Sequence, residues 1–322
     1  MSIIVLYLKN RRVPFRAEER IAECGAGRDV LIAEDRAAIE KALDTIEIAA
    51  GDFPVDLAAR APNLAWFQQW YAGADWLREY PAAREKPFLL TNASGVHGPQ
   101  MAEHLFGLLI AWYRKFPEVF SAQARREWKR SVLHTADFLY GKTLLILGFG
   151  SIGEQVAKVA AAFGMRVIAV RRNTPSGSQI ANVEKVMGQE NLYEALPEAD
   201  VVVDILPSTE ETVRLMGRRE FAAMKKTAVF ANIGRGDTVD EAALVEAVRG
   251  GTIAGAVLDV TETEPLPPES PLWDMPGIII TPHYSGSHPR YDEMVFTIFL
   301  DNLMRYVKGE ELLNIVDKTL GY

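Results

Sequence analysis

Three segments of the chain carry side chains able to hold an anion and move a proton: "ANIGRGDTVDE" with Arg235, "LDVTETEPLP" with Asp259 and Glu264, and "TPHYSG" with His283. Each follows or includes the end of a short apolar run, "AVFANI", "GAVLDV" or "GIIITP", that reads as a β-strand. Open parallel sheets bind ligands beyond the carboxyl ends of their strands, so these four residues are expected at one cleft edge. A guanidinium, a carboxylate and an imidazole gathered there point to reduction of a carbonyl compound that also carries a carboxylate.

A second signature lies upstream. Gly148, Gly150 and Gly153 take the G-x-G-x-x-G spacing directly after the apolar run "TLLILG" and directly before a helical pattern. The first glycine suits a tight turn, the second lets backbone approach a pyrophosphate, and the third permits close helix packing. The phosphates would sit on the free N–H groups at the helix N-terminus. Such a triplet can be only a turn; the strand before it and the helix after it make it a dinucleotide site. The strand "RVIAV" then ends at Arg171, where an NAD site places an acid on the ribose hydroxyls. Arg171 and Arg172, followed by Asn173 and Thr174, instead favour a ribose 2′-phosphate, hence NADP(H) over NAD(H), with NAD(H) still usable. The plain alternative is a solvated loop.

The elements that must position these groups follow from the alternation of the pattern. From Lys142 onward, six apolar runs ("TLLILG", "RVIAV", "DVVVDI", "AVFANI", "GAVLDV", "GIIITP") interleave with helical stretches, which predicts a six-stranded, doubly wound parallel sheet. Before residue 99, "IIVLYL", "DRAAIEKALDTI", "IEIAAG", "LAWFQQWYAGADWL" and "PFLLTNAS" predict a second, smaller parallel sheet with helices. Between the two, the apolar spacing of Met101, Leu105, Leu108, Leu109 and Trp112 predicts one long helix. The helical stretch "YDEMVFTIFLDNLMRYVKG" is expected to return to the first unit. The chain is thus an α/β protein of two domains: residues 1–98 with 288–322 for substrate, and 99–287 for the dinucleotide.

Bulk properties narrow the function classes. At 322 residues, 48% hydrophobic and 24% charged, the sequence is that of a globular protein. A net charge of −8 argues against nucleic acid or an anionic membrane as a general partner. Cys24 is the single cysteine, so neither an intrachain disulfide nor a cysteine-based metal site is expected. "IIVLYL" is too short for a signal peptide or a membrane span, and a cytoplasmic location is expected.

Taken together, "TNASGVHGPQMAEH", "LGFGSIG", "LPSTEET", "ANIGRGDTVDE", "LDVTETEPLP" and "TPHYSG" resemble, in order and over nearly the whole chain, the D-isomer-specific 2-hydroxyacid dehydrogenases. The resemblance implies a flavodoxin-like substrate domain beside a Rossmann cofactor domain, a homodimer, and Arg235, Glu264 and His283 in the catalytic roles. It implies cofactor contacts from Ser151, Ile152, Leu206, Pro207, Thr212 and Ile233, with Asp259 facing the nicotinamide carboxamide. It also implies that the backbone of Ala72 and Gly73, in "WYAGAD", faces the substrate carboxylate. Arg235 would grip the carboxylate and polarise the neighbouring carbonyl, a bidentate task that Lys cannot perform. His283 would protonate the carbonyl oxygen as hydride arrives, and Glu264 would favour the charged imidazole. Formate-specific relatives carry glutamine at the Glu264 position, so the acid argues for 2-oxo acids, with glyoxylate and hydroxypyruvate foremost.

Trp70 and Tyr71 flank the substrate loop and are candidates either for its side-chain pocket or for core; His97 and Trp128 read as structural. The segment Tyr284–His288 departs from the Gly-Ser found in many family members. Phosphoglycerate dehydrogenase is the alternative enzyme reading, and a nucleotide-sensing corepressor-like module is the alternative of another class.

Overall fold

The computed structural model describes residues 2–172 and 180–322. The chain forms two compact units, Met1–Val96 with His288–Tyr322, and His97–Ser287.

In the first unit, strands β1 (Ile3–Tyr7), β2 (Asp29–Ala33), β3 (Ile46–Gly51), β4 (Trp66–Gln69) and β5 (Leu89–Thr91) form an all-parallel sheet of order β2-β1-β3-β4-β5. This is the flavodoxin-like order, with its switch point between β1 and β3. Successive residues of a strand face opposite sides, and the two sides have separate cores. Val5, Tyr7, Ala49 and Phe67 pack beneath α2 (Arg36–Ala42), α3 (Val55–Arg60) and the single-turn helices α4 (Trp76–Glu79) and α5 (Pro81–Arg84). Ile4, Leu6, Ile48 and Trp66 pack against α1 (Ala17–Cys24) and the chain's last helix, α12 (Tyr291–Lys308), which supplies Val295, Phe296, Phe299 and Leu303. The buried Asn302 of α12 donates to Gln68 Oε1 at 3.2 Å and accepts from the Leu313 amide at 2.7 Å. Asn302 is therefore satisfied inside the core, which helps to fix the register of the helix.

The second unit opens with α6 (Gly98–Tyr113) and α7 (Phe116–Ala124). Its strands are β6 (Thr143–Leu147), β7 (Arg166–Val170), β8 (Lys185–Met187), β9 (Val201–Asp204), β10 (Val229–Asn232), β11 (Gly255–Leu258) and β12 (Ile278–Ile280). They are parallel, in the order β12-β11-β10-β9-β6-β7-β8. The helices between them are α8 (Ser151–Ala162), the single-turn α9 (Leu192–Ala195), α10 (Arg218–Ala223) and α11 (Glu241–Arg249). The strand order reverses at β6, so the crevice of this doubly wound sheet opens between the carboxyl ends of β6 and β9. Among the described residues the sheet has seven strands, not six. The additional β8 is a three-residue edge strand on β7, too short to show a period and led by the exposed Lys185. No described helix is long and apolar enough to cross a membrane.

Candidate active site

The glycine turn is shaped by contacts that a side chain would block. Gly148 has φ +86°, and a Cβ there would meet the Ile205 carbonyl oxygen at 2.9 Å, so both conformation and space require glycine. Its amide donates to Val170 O at 3.1 Å, which ties the turn to the end of β7 and hence to Arg171. Gly150 is extended and caps α8, with nothing within 4 Å of a Cβ on it. A Cβ on Gly153 would press on the Phe149 ring at 3.2 Å. The N–H groups in the first turn of α8, including those of Ser151 and Ile152, lack intrahelical acceptors and carry the positive end of the helix dipole.

At the far side of the crevice, loops after β10, β11 and β12 stand side by side because their strands do. The loop Ile233–Gly236 passes so close to its neighbours that a Cβ on Gly234 would meet Leu206 O at 2.9 Å, and one on Gly236 would overlap Thr261 O. Ile233 is buried and its amide donates to Asp204 O at 3.1 Å. Arg235 is extended and partly exposed; its carbonyl accepts from Asn232 Nδ2 at 2.8 Å and Thr238 Oγ1 at 2.6 Å.

His283 follows β12 with φ +49°, in the left-handed region that histidine adopts more readily than most residues. Its Nδ1 lies 2.7 Å from Glu264 Oε2, and the other oxygen of Glu264 accepts from the Thr261 amide at 3.2 Å. Glu264 therefore fixes the ring and leaves Nε2 as the nitrogen for chemistry. Both side chains are partly exposed, at 48% and 37%.

Asp259 is buried, and its carboxylate is turned onto the His283 loop. It accepts from Thr281 Oγ1 at 2.6 Å, Ser285 N at 3.0 Å and Tyr284 N at 3.2 Å, while its own carbonyl accepts from His283 N at 2.8 Å. His104 of α6 joins this cluster, with Nε2 2.9 Å from Thr281 Oγ1 and its ring edge-on to Tyr284. Burial pushes His104 below the usual histidine range, against the opposing pull of Asp259. Sequence reasoning passed over His104, although it closes the quoted motif "TNASGVHGPQMAEH".

In the first unit, the Tyr71–Gly73 carbonyls are all tied back. Gln69 Nε2 donates to Tyr71 O and Gly73 O at 2.9 and 2.7 Å, and Asn92 Nδ2 donates to Ala72 O at 2.8 Å. In a trans peptide the N–H points opposite to the C=O, so the Ala72, Gly73 and Ala74 amides are directed away from those partners. Beside this loop, at the β1/β3 switch point, lies a cavity of about 390 Å³ lined by Lys9, Asp52, Phe53, Gln69, Tyr71 and Trp76, among others.

The other candidates sit among different partners. Trp70 is core: fully buried, with its indole N–H on Asp292 Oδ1, whereas Tyr71 lines the cavity. Trp128, expected as structural, is 91% exposed, because it follows α7 on a segment outside both sheet cores. His97 starts α6 and faces the backbone of Gly286. Thr212 is buried, its hydroxyl donating to Pro207 O at 2.6 Å, so it braces the turn that carries Leu206 and Pro207. Arg172 is ion-paired with Glu211, 39 residues away, a partner that no local reading could supply. Thr174 and Asn173 lie outside the described residues. No group of three or more potential metal ligands occurs among the described residues.

A dinucleotide crevice and an imidazole–carboxylate pair on one parallel sheet define an NAD(P)-dependent oxidoreductase. The chain belongs to the D-isomer specific 2-hydroxyacid dehydrogenase family, and residues 106–285 match the model of that family's NAD-binding domain. It is 35% identical to a glyoxylate reductase of Aeropyrum pernix over 82% of this chain and 79% of that protein. Among solved structures, a family member from Aeromonas salmonicida superposes with TM-score 0.84 at 35% identity, covering 98% of this chain and 99% of that one. An NADPH-dependent glyoxylate/hydroxypyruvate reductase of Sinorhizobium meliloti, solved with NADP and sulfate, superposes with TM-score 0.84 at 29% identity over the full length of both chains. The protein is accordingly an NAD(P)-dependent 2-oxoacid reductase.

Proposed function

We propose that this chain reduces glyoxylate or hydroxypyruvate, with NADPH preferred over NADH. The observation that carries the reading is the 2.7 Å contact between His283 Nδ1 and Glu264, on loops beside the one that carries Arg235. The bound nicotinamide supplies the hydride. Arg235 grips the substrate carboxylate and polarises the carbonyl, and the Ala72 and Gly73 amides offer further donors to an anionic group. His283 Nε2 delivers the proton to the carbonyl oxygen, while Glu264 holds Nδ1 and stabilises the imidazolium. Gly150, Ser151 and Ile152 would hold the pyrophosphate, and Leu206, Pro207 and Ile233 would line the rest of the cofactor.

The cofactor preference rests on Arg171 and Arg172 at the end of β7, reinforced by the NADP bound in the Sinorhizobium enzyme. Arg172, paired here with Glu211, would be the guanidinium that holds the 2′-phosphate. We further read the chain as a cytoplasmic homodimer. The lone thiol, Cys24, suits a reducing compartment. The exposed apolar side chains of Phe120, Trp128, Leu133 and Tyr140 suit a second copy of the same surface. The deciding experiment is turnover of a 2-oxo acid panel with NADPH and NADH, alongside light scattering for subunit number. Failure to turn over any 2-oxo acid with either cofactor would reject the function, and a monomer would reject the dimer.

A further inference from the structure

The apolar run of β9 ends in Asp204, whose carboxyl group is fully buried. Its Oδ1 accepts from the Leu206 amide at 2.9 Å. Its Oδ2 lies 2.8 Å from Thr238 Oγ1, and that same hydroxyl lies 2.6 Å from the carbonyl oxygen of Arg235. Thr238 is itself fully buried. A hydroxyl has one proton, and a carbonyl oxygen can only accept. If Asp204 is ionised, Thr238 faces two acceptors and serves only one. If Asp204 is protonated, its O–H donates to Thr238, Thr238 donates to Arg235 O, and each contact is satisfied.

We infer that Asp204 is a positioning residue for Arg235, holding a proton in the substrate-binding form of the enzyme and acting through the Thr238 hydroxyl. The inference rests on the role of Arg235 in the function proposed above. The surroundings favour that proton. Burial pushes the Asp204 carboxyl up to about 7, outweighing the Leu206 amide and the Thr238 hydroxyl, which pull it down, and the negative charge of Asp237, on the turn after Arg235, adds to the rise. The flanking strands place Leu147 of β6 and Asn232 of β10 opposite it, neither of them ionisable. Losing the proton draws the Thr238 hydrogen to the Asp204 carboxylate and sets a lone pair against Arg235 O. The Arg235 loop then keeps only the Asn232 donor on that carbonyl.

Asp204→Asn imitates the protonated acid, with an oxygen for the Leu206 amide and an NH₂ for Thr238. KM for glyoxylate at saturating NADPH, measured from pH 5.5 to 9 in both enzymes, gives the comparison in which every pH effect that does not pass through Asp204 is shared. The wild-type to Asp204→Asn ratio of KM is expected near one at pH 6 and to rise about fivefold by pH 8.5, the size of one lost hydrogen bond. Thr238→Val should raise KM at both ends of the range, and Thr238→Ser should restore it. A ratio that stays flat, or an Asp204→Asn enzyme weaker than wild type at pH 6, overturns the inference. Carbon-13 resonances of labelled aspartate in the wild type read the proton without any turnover. A buried carboxyl titrating near neutrality, displaced in Thr238→Val, supports the inference, and its absence overturns it. If no 2-oxo acid is reduced, the proposed function fails by itself, while the resonance still reports on Asp204.

Discussion

Asp259→Asn separates two roles for one buried carboxylate. The family resemblance sets Asp259 against the nicotinamide, whereas the structure spends its oxygens on Thr281, Tyr284 and Ser285, the residues that flank His283. Asparagine keeps the shape but turns one oxygen into a donor. If the NH₂ takes the Oδ2 position, it opposes the Ser285 N–H and leaves that buried amide unsatisfied, at a cost of about 1–3 kcal/mol. The remaining two bonds lose their ionic character and roughly half their strength. Together these losses come to about 3 kcal/mol of folding free energy, and the loop bearing His283 is released. Because a misplacement on the order of 1 Å can slow a reaction about 100-fold, kcat should fall at least tenfold. NADPH affinity should stay within about threefold, since none of these bonds involves the cofactor. Denaturant unfolding, NADPH titration and kcat at saturating NADPH give the three readings. Unchanged unfolding with NADPH affinity weakened more than tenfold would refute the bracing role and restore the cofactor contact.

His283→Asn should lower kcat for glyoxylate reduction by about 10²- to 10⁴-fold while NADPH still binds; retention of half the wild-type rate under chemistry-limited conditions would remove it as the acid. Arg235→Lys should raise KM and depress kcat together, because a point charge cannot reproduce the fork; unchanged kinetics would place Arg235 outside the site. Arg171→Asp with Arg172→Ala should reduce kcat/KM for NADPH at least tenfold more than for NADH, as a charge-assisted bond is worth about 1.5–3 kcal/mol. Glu211→Gln removes the carboxylate that competes for Arg172 and should modestly strengthen NADPH binding at low salt. Equal use of NADH and NADPH by the wild-type enzyme would defeat both cofactor expectations.

Strands with an unbroken apolar run, such as "TLLILG" and "AVFANI", were legible because both of their faces are buried and the run itself is the signal. β2 and β8 were not: β2 opens on the exposed Asp29 and is only partly buried along most of its length, and β8 has three residues, too few for a pattern. The glycine spacing and the order of Arg235, Glu264 and His283 located the crevice because strand ends place ligands by topology. What escaped was long-range. Neither the Arg172–Glu211 pair nor the contact of His104 with Thr281, 177 residues on, has a local signature. Asp204 did have one: an acid closing the run "DVVVDI" is out of place in a buried strand, and only the Thr238 contact shows why it is tolerated.

The interrupted first unit, with its last helix encoded after the whole second unit, has a consequence for synthesis. On the ribosome, residues 97–287 are contiguous and can close their own sheet as soon as they emerge. The earlier strands cannot finish. One face of their sheet waits for Val295, Phe296, Phe299 and Leu303, which are translated about 200 residues after β5, on the order of ten to forty seconds later at ordinary elongation rates. During that interval the nascent chain carries a bare apolar surface that includes Ile4, Leu6 and Trp66, so this surface, not the nucleotide unit, is where a chaperone or a misfolding contact finds the protein.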